Sequence, residues 1–489
     1  MALSGLEQPL ESLGLKENDS GNSVCPENGQ LTEMGSPIDL EEGMASYQNG
    51  NSIEGSPDGI ADFVTMGMFI VDEIEYLPPK PPVRDILGGG GAYAALGARL
   101  FSPAPTLSRT VGWVVDKGSD FPEAMGDLIE SWKTAVIMRY DPDRLTTRGW
   151  NGYDEAERRA FRYMTPKKRL TAEDLPPSLL TARAFHILSS ASRCRDLVED
   201  IKSRRRKAIE ALGPDHPSAS AIIARPYFIW EPVPDRCTPA ELLDCTNTLP
   251  VVDVCSPNHT ELAAYMGDPY KGMDPKTGRL SKAAVERACE QLLSAMPLQS
   301  YALVVRAAEH GCYIAKNGGR LHLRSDKSAA PKKAKKPAPK QDLHGGLRPD
   351  IDMEALFAGL VQDEEGSIAR DEVEISSGVE MWIPAVSGEA AETENYDIDI
   401  APSKKLEVVD PTGGGNAFLG GFTVAVARGK GLDEAAAWGN VAASFAIEQV
   451  GVPVLGEDAN GQETWNGVRV EDRYGEYETL LRKRGVLKQ

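Results

Sequence analysis

The stretch LEVVDPTGGGNAFLGGFTVAVARG, residues 406–429, decides how the chain is read. Its apolar start, LEVVD, predicts a buried strand ending at Asp410. Three glycines follow, Gly413, Gly414 and Gly415, and AFLGGFTVAVA then predicts an apolar helix. A glycine turn that opens a helix leaves backbone N–H groups without intrahelical acceptors, and the helix dipole adds about half a positive charge there. Such a place attracts anions, phosphate most often. A tight strand-to-helix turn could demand glycine for backbone reasons alone, but three in succession favour phosphate. Two better-known glycine loops do not fit. A P-loop needs Gly-Lys-Ser/Thr at its end, whereas the next glycines stand in Gly420-Gly421-Phe422. A dinucleotide fingerprint needs glycine where Phe418 stands.

Outward from this turn, apolar runs of strand length alternate with helically spaced stretches. RTVGWVV, TAVIMR, AFHILS, AIIARPYFIW, VVDVCS and YALVVRA are of the first kind; FPEAMGDLIESWK, CRDLVEDIKSRRRKAIEAL and SKAAVERACEQLLSAM are of the second. The alternation implies crossover connections and an α/β fold, with a mostly parallel sheet covered on both faces. Ligands of such sheets bind at the carboxyl ends of the strands. The first run, ADFVTMGMFIVDEI from Ala61, predicts one buried strand.

The chain has 489 residues, 53 Lys and Arg against 73 Asp and Glu, and a net charge of −20. That balance excludes a general nucleic-acid binder. No run approaches the roughly 20 apolar residues of a bilayer span, and the N-terminus has no basic-then-apolar leader, so the expected location is cytoplasmic. Seven cysteines without CxxC and six histidines without ligand spacing predict buried thiols in a reducing compartment, not a disulfide frame or zinc site. Residues 1–60 hold eleven acidic residues and a single base, Lys16, which predicts a disordered acidic tail. Residues 321–378 begin lysine-rich, in DKSAAPKKAKKPAPK, and end acidic, a flexible charged insertion inside a hairpin between GCYIAKNG and MWIPAV. Nuclear access and protein contacts through tail and insertion are the functional alternatives to solvated segments. The folded domain is then 61–320 plus 379–489.

Asp410, Thr412, Gly413, Gly415 and Phe418 resemble the second signature of the PfkB, or ribokinase-like, carbohydrate kinases, approximately Asp-Thr-x-Gly-Ala-Gly-Asp-x-Phe. Pro411 replaces a threonine, Gly414 an alanine, and Asn416 the aspartate that takes the proton of the substrate hydroxyl. Further matches follow in family order. Asp72, five residues after Gly67, matches a carboxylate that holds sugar hydroxyls. LGGGGAYAALGARL (87–100) resembles the Gly-Gly-x-Gly-Ala-Asn-x-Ala element at the edge of the sugar pocket, with Gly89 and Gly90 in place and Tyr93 where asparagine is usual. Asn258 and Glu261 fit the Asn-x-x-Glu motif near magnesium-bound phosphates. In YALVVRAAEHGCYIA, Arg306 and Ala308 stand where the family presents Thr-x-Gly to the nucleotide. WGNVAASFAIEQVG resembles the helix beside the adenine pocket, with Asn440 at the matching position. Each motif is weak alone, and their order carries the resemblance over 61–320 and 379–489. The pattern is closest to a fungal maintenance-of-killer-like branch that keeps Asp-Pro-Thr-Gly-Gly-Gly-Asn.

The resemblance implies a ribokinase-like three-layer α/β/α fold with a small lid, for which residues 140–185 are the long candidate. It implies ATP-dependent phosphoryl transfer to a hydroxyl of a sugar or related small molecule. ATP and Mg2+ are the implied cofactors, with a monovalent cation as an optional addition. In that reading Gly413, Gly414 and Gly415 cradle the phosphoryl group beside Asp410; Thr412, Asn258, Arg306 and Asn440 meet the nucleotide; Glu261 serves the metal; Asp72, Gly89 and Gly90 meet the substrate. Asn416 is the difficulty, because a carboxamide does not accept a hydroxyl proton at neutral pH. General-base help is worth about 10²–10⁴-fold. Either Asp410 or Asp72 serves instead, or the substrate is acidic enough to need no base, or the chain is a pseudokinase that binds ligands or partners without turnover. An unrelated α/β binding protein with purely structural glycines is the third reading. Asn416→Asp is expected to create or raise transfer if the asparagine is the sole defect.

Overall fold

Short runs of alternating apolar residues become the strands of one large sheet, described here from a computed structural model. The described residues are 59–153, 159–212, 224–320, 375–376, 378–386 and 406–487, all within the compact unit Asn51–Gln489. The strands are β1 (Phe63–Thr65), β2 (Ile70–Glu75), β3 (Val83–Gly88), β4 (Val111–Lys117), β5 (Ala135–Tyr140), β6 (Arg148–Tyr153), β7 (Arg159–Tyr163), β8 (Ala184–Ser189), β9 (Tyr227–Pro232), β10 (Val254–Cys255), β11 (Ala302–Arg306), β12 (Cys312–Lys316), β13 (Gly319–Arg320), β14 (Ile375–Ser376), β15 (Val379–Ile383), β16 (Leu455–Glu457) and β17 (Glu463–Trp465). The main sheet runs β15-β12-β11-β10-β9-β8-β1-β4-β5. From β11 to β5 every pairing is parallel, and β12 and β15 close one edge antiparallel. A second sheet, β3-β2-β6-β7, draws on residues within 140–185 and supplies the small lid.

Successive strand residues point to opposite faces, and each face carries its own core. Phe63, Trp113, Ala184, Ile229 and Val304 belong to one, packed by helices α1 (Gly90–Leu100), α2 (Glu123–Ser131), α6 (Gly414–Ala427), α7 (Leu432–Ala446) and α8 (Val470–Lys483). Their neighbours Val64, Val114, Phe185, Phe228 and Leu303 belong to the other, packed by α3 (Ala191–Leu212), α4 (His259–Tyr265) and α5 (Lys282–Ala295). This is the three-layer α/β/α arrangement. Chain order runs from β1 to β4 and β5 on one side, then returns to β8 and proceeds the other way. The reversal lies between β1 and β8, and open α/β sheets bind ligands at the strand ends beside such a switch point.

Two expectations need correction. The run ADFVTMGMFIVDEI is not one strand, because it breaks at Gly67: β1 stays in the main sheet and β2 enters the lid. The Gly67 N–H donates to Thr65 Oγ1 at 3.0 Å, and a Cβ on Gly67 would lie 2.6 Å from the Gly91 nitrogen, so only glycine lets the chain turn against the start of α1. LEVVD forms no strand either. Val408 and Val409 are about half exposed, and the N–H groups of Val409 and Asp410 donate to the Ile447 carbonyl at 2.9 and 3.2 Å. The end of α7 takes the backbone hydrogen bonds that a neighbouring strand would have taken.

The acidic tail falls almost wholly outside the described residues. Of the insertion 321–378, only Ile375, Ser376 and Gly378 are described, the first two pairing with β13. Six cysteines within the described part are free and buried, and burial raises the thiols of Cys194, Cys237, Cys255, Cys289 and Cys312, that of Cys237 to about 12. Among the described residues no helix is long and apolar enough to cross a membrane.

Candidate active site

The glycine turn is fixed by steric and backbone constraints together. Gly413 caps α6 with φ of 78°, a left-handed value that an L side chain resists, and a Cβ there would run into the Tyr93 ring. Asp410 Oδ1 accepts the Thr412 N–H at 2.9 Å, and the Gly414 N–H donates to the Pro411 carbonyl at 3.2 Å. The bond from Ala417 N to Gly413 O, at 2.8 Å, is the first regular bond of α6, so the N–H groups of Gly415 and Asn416 lie at its open end. Glycines also bring α1 and α6 backbone to backbone: a Cβ at Gly97 would strike the Ala417 carbonyl, and one at Gly420 the Ala94 carbonyl. As a result the two helix N-termini converge. A Cβ on Gly90, at the start of α1, would lie 3.1 Å from Asn416 Nδ2. Both dipoles favour negative charge at that point.

The negative charge found there is a side chain, Glu231 of β9. Each polar group of this face stands two residues beyond a core residue on its strand: Thr65 after Phe63, His186 after Ala184, Glu231 after Ile229, Arg306 after Val304. Period-two alternation therefore lines them up at the strand ends. Glu231 Oε2 accepts from Asn416 Nδ2 at 2.8 Å and lies 3.0 Å from His186 Nε2; Oε1 pairs with Arg306 Nη1 at 2.7 Å. His186 Nδ1 lies 3.0 Å from Thr65 Oγ1, which already accepts the Gly67 N–H. Thr65 Oγ1 and Glu231 Oε2 thus hold the two ring nitrogens of His186 from opposite sides. Burial alone would raise the Glu231 carboxyl, yet the Arg306 charge, then His186 and Asn416, outweigh it and hold it below the usual carboxylate range.

Arg306 ends β11 with its guanidinium against the glycine turn. A Cβ on Gly415 would meet Nη1 and lie 3.4 Å from Cζ. Nη2 donates to the Ser256 carbonyl at 3.0 Å and faces Glu261 Oε2 at 3.4 Å, while Nε is buried and makes no hydrogen bond. Asn258 and Glu261 form a capping box at the start of α4. The Glu261 N–H donates to Asn258 Oδ1 at 2.8 Å, and Asn258 returns its N–H to Oε2 and its Nδ2 to Oε1, each at 2.7 Å. Burial raises the Glu261 carboxyl, and Arg306 only partly offsets this. One guanidinium thus serves two acids unequally, Glu231 closely and Glu261 at longer range.

The structure therefore gathers Gly413, Gly414, Gly415, Asn416, Gly90, Arg306, Glu261 and Asn258 in one neighbourhood. Gly89 is the N-cap of α1, and Thr412 leads into the turn. Asp72 lies in the lid, on β2, where the absent side chains of Gly88 and Gly149 leave room for its carboxylate. Asn440 lies inside α7. Its Nδ2 donates to the Pro384 carbonyl and to Tyr477 Oη, both at 3.0 Å, which ties the end of β15 to α7 and α8. Sequence reasoning passed over Glu231, His186 and Thr65. Their signal was a polar residue inside otherwise apolar strands, AFHILS and FIWEP, where such residues need a partner.

Residues 387–455, which contain the glycine turn, match the family described as pfkB family carbohydrate kinase. Protein MAK32 of Saccharomyces cerevisiae is 30% identical over 421 residues, spanning 84% of this chain and 90% of that protein. An uncharacterized protein of Schizosaccharomyces pombe is 28% identical over 426 residues, spanning 87% of this chain and 95% of its own length. Among solved structures, ribokinase from Giardia lamblia superposes with a TM-score of 0.48 at 14% identity, covering 80% of this chain and 95% of that one.

Proposed function

The chain belongs to the pfkB family of carbohydrate kinases, on the branch that includes Protein MAK32, and from that premise we propose that it transfers the terminal phosphoryl group of ATP to a hydroxyl of a sugar or related small molecule. The observation that carries the proposal is the convergence of two helix N-termini and a guanidinium on Gly415 and Asn416, beside the switch point of a parallel sheet. Phosphoryl transfer passes through a loose transition state, so positioning and charge stabilisation supply most of the acceleration. The N–H groups of Gly415 and Asn416 are fixed by the helix and cost little reorganisation when charge develops on the phosphoryl oxygens. Thr412 and Asn258 border the nucleotide side; Gly89, Gly90 and the lid residue Asp72 border the substrate side. A cytoplasmic location suits the six free, buried thiols.

In this reading the Asn416 amide turns from Glu231 Oε2 to the substrate hydroxyl and the freed Oε2 takes the hydroxyl proton, because Glu231 is the carboxylate in contact with position 416. Asn416 then orients the acceptor, and His186 steadies the carboxylate from behind. Asp410 is committed to the turn and Asp72 to the lid. The test pairs calorimetric titration of ATP with a transfer screen over pentoses, hexoses and nucleosides. Wild type is expected to bind ATP saturably, and Gly415→Glu, whose carboxylate would enter the anion site, is expected not to. Glu231→Gln is expected to keep ATP binding and lose about 10²–10⁴-fold in transfer. Undiminished transfer by that variant would remove Glu231 from the role, and absence of ATP binding by wild type would remove the kinase reading.

A further inference from the structure

The Asn-x-x-Glu resemblance implies magnesium at Glu261, but the side chains there do not fit a metal. Both Glu261 oxygens accept hydrogen bonds from Asn258, and Oε2 also faces Arg306. Glu231, the other acid on that guanidinium, is occupied by His186 and Asn416. Magnesium in a nucleotide site keeps several waters and needs only one or two carboxylates beside the phosphates, but each oxygen of these two acids already has a hydrogen-bond or ion-pair partner. What lies between Glu261 and Gly415 is itself a cation.

We propose that the Arg306 guanidinium is the built-in cation of the phosphoryl site, so that ATP binds the glycine turn without a divalent metal. The proposal rests on the reading of that turn as the place of phosphoryl transfer. A guanidinium carries five N–H donors, and the contacts with Glu231, Ser256 and Glu261 use three of them. The buried Nε–H has no hydrogen-bond partner, a donor left over beside the turn. The hold on Glu261, at 3.4 Å, is the weaker of the two ion pairs and the one a phosphate oxygen can replace. Planar donors of this kind take phosphate bidentately, which an ammonium does not. Glu231 would keep its side of the guanidinium, so the nucleotide and the proton acceptor share one positive charge.

The experiment is calorimetric titration of the full chain with ATP in two buffers, one with excess EDTA and one with excess magnesium. The two dissociation constants are expected to agree within about threefold. Arg306→Met is expected to lose about 10–100-fold in EDTA, the worth of one or two charge-assisted hydrogen bonds, and to stay weak when magnesium is supplied, because Asn258 still holds both Glu261 oxygens. Melting curves establish which variants fold, and if Arg306→Met does not, Arg306→Lys decides, by weakening ATP in EDTA through loss of the bidentate geometry. Binding that appears only with magnesium overturns the built-in cation and leaves the kinase reading standing. Arginine variants that fold and match wild type in EDTA overturn it too. Absence of binding in both buffers overturns both readings.

Discussion

Replacing Asn416 by aspartate, the change that restores the family residue, should destabilise this protein before it does anything for catalysis. In the native site Asn416 Nδ2 donates to Glu231 Oε2 at 2.8 Å. The substitution removes that donor and sets a second carboxylate against the first. Two unit charges about 3 Å apart repel by roughly 5 kcal/mol at an effective dielectric of about 20. Arg306 and His186 remain to offset part of this, leaving about 2–4 kcal/mol, or about 1.5–3 pK units at 1.36 kcal/mol each. One of the acids must then keep its proton, as closely paired carboxylates do. The added carboxyl has a folded pKa above its unfolded value of about 3.9, so its cost is small below about pH 4 and grows as pH rises toward the folded value of about 5.5–7. Urea unfolding of wild type and variant from pH 4.5 to 8 reads this directly. The stability gap should be about 2–4 kcal/mol at pH 8 and under about 1 at pH 4.5. Asn416→Asp/Glu231→Gln, which exchanges the amide and the carboxylate, should recover most of the loss. A gap that is zero or independent of pH would refute the contact on which the reasoning rests.

Glu231→Gln alone strips a carboxylate from a buried arginine and should cost about 3–5 kcal/mol at pH 7. Because the native carboxyl is held low, its contribution is present above the unfolded value of about 4.3 and disappears as pH falls through the folded value, so acid titration of both proteins should bring their stabilities together. Gly413→Ala forces a side chain to φ of 78° and into the Tyr93 ring; unfolding should show a loss of about 2–5 kcal/mol, part of it returned by Tyr93→Ala, and an unchanged midpoint would mean that the turn is not held as described. Asn440→Ala should cost about 1–3 kcal/mol through its bonds to Pro384 and Tyr477, with ATP affinity unaltered; a tenfold weaker titration by a folded variant would return Asn440 to the nucleotide site.

The turn, the layer order and the ends of the strands were legible because each has a local cause. Gly413 is demanded by a left-handed dihedral, and AFLGGFTVAVA has no polar face to leave in water. LEVVD was misread because an apolar run records hydrophobicity and not which backbone will take its hydrogen bonds; here a helix end does. The pairings at the heart of the site were hidden for a different reason. His186 lies opposite Ile229 in the register of β8 and β9, which puts it diagonal to Glu231 on the same face, and Asn416 reaches the same acid from 185 positions away in sequence. Neither register nor crossover placement is written in composition. Asn440 shows the converse: a position that matches a family pattern can still have its amide donors spent on main-chain and tyrosine oxygens.

The glycine contacts between α1 and α6 also limit how the site can move. With Gly97 seated on the Ala417 carbonyl and Gly420 on the Ala94 carbonyl, neither helix can slide or roll past the other without backbone collision. The wall that bears Gly90 and the wall that bears Asn416 are therefore locked together, and opening for ligand exchange is expected of the β3-β2-β6-β7 sheet instead. Amide hydrogens along α1 and α6 should then exchange with solvent only at global unfolding, whereas those of the lid should exchange by local opening and slow when ligand closes it.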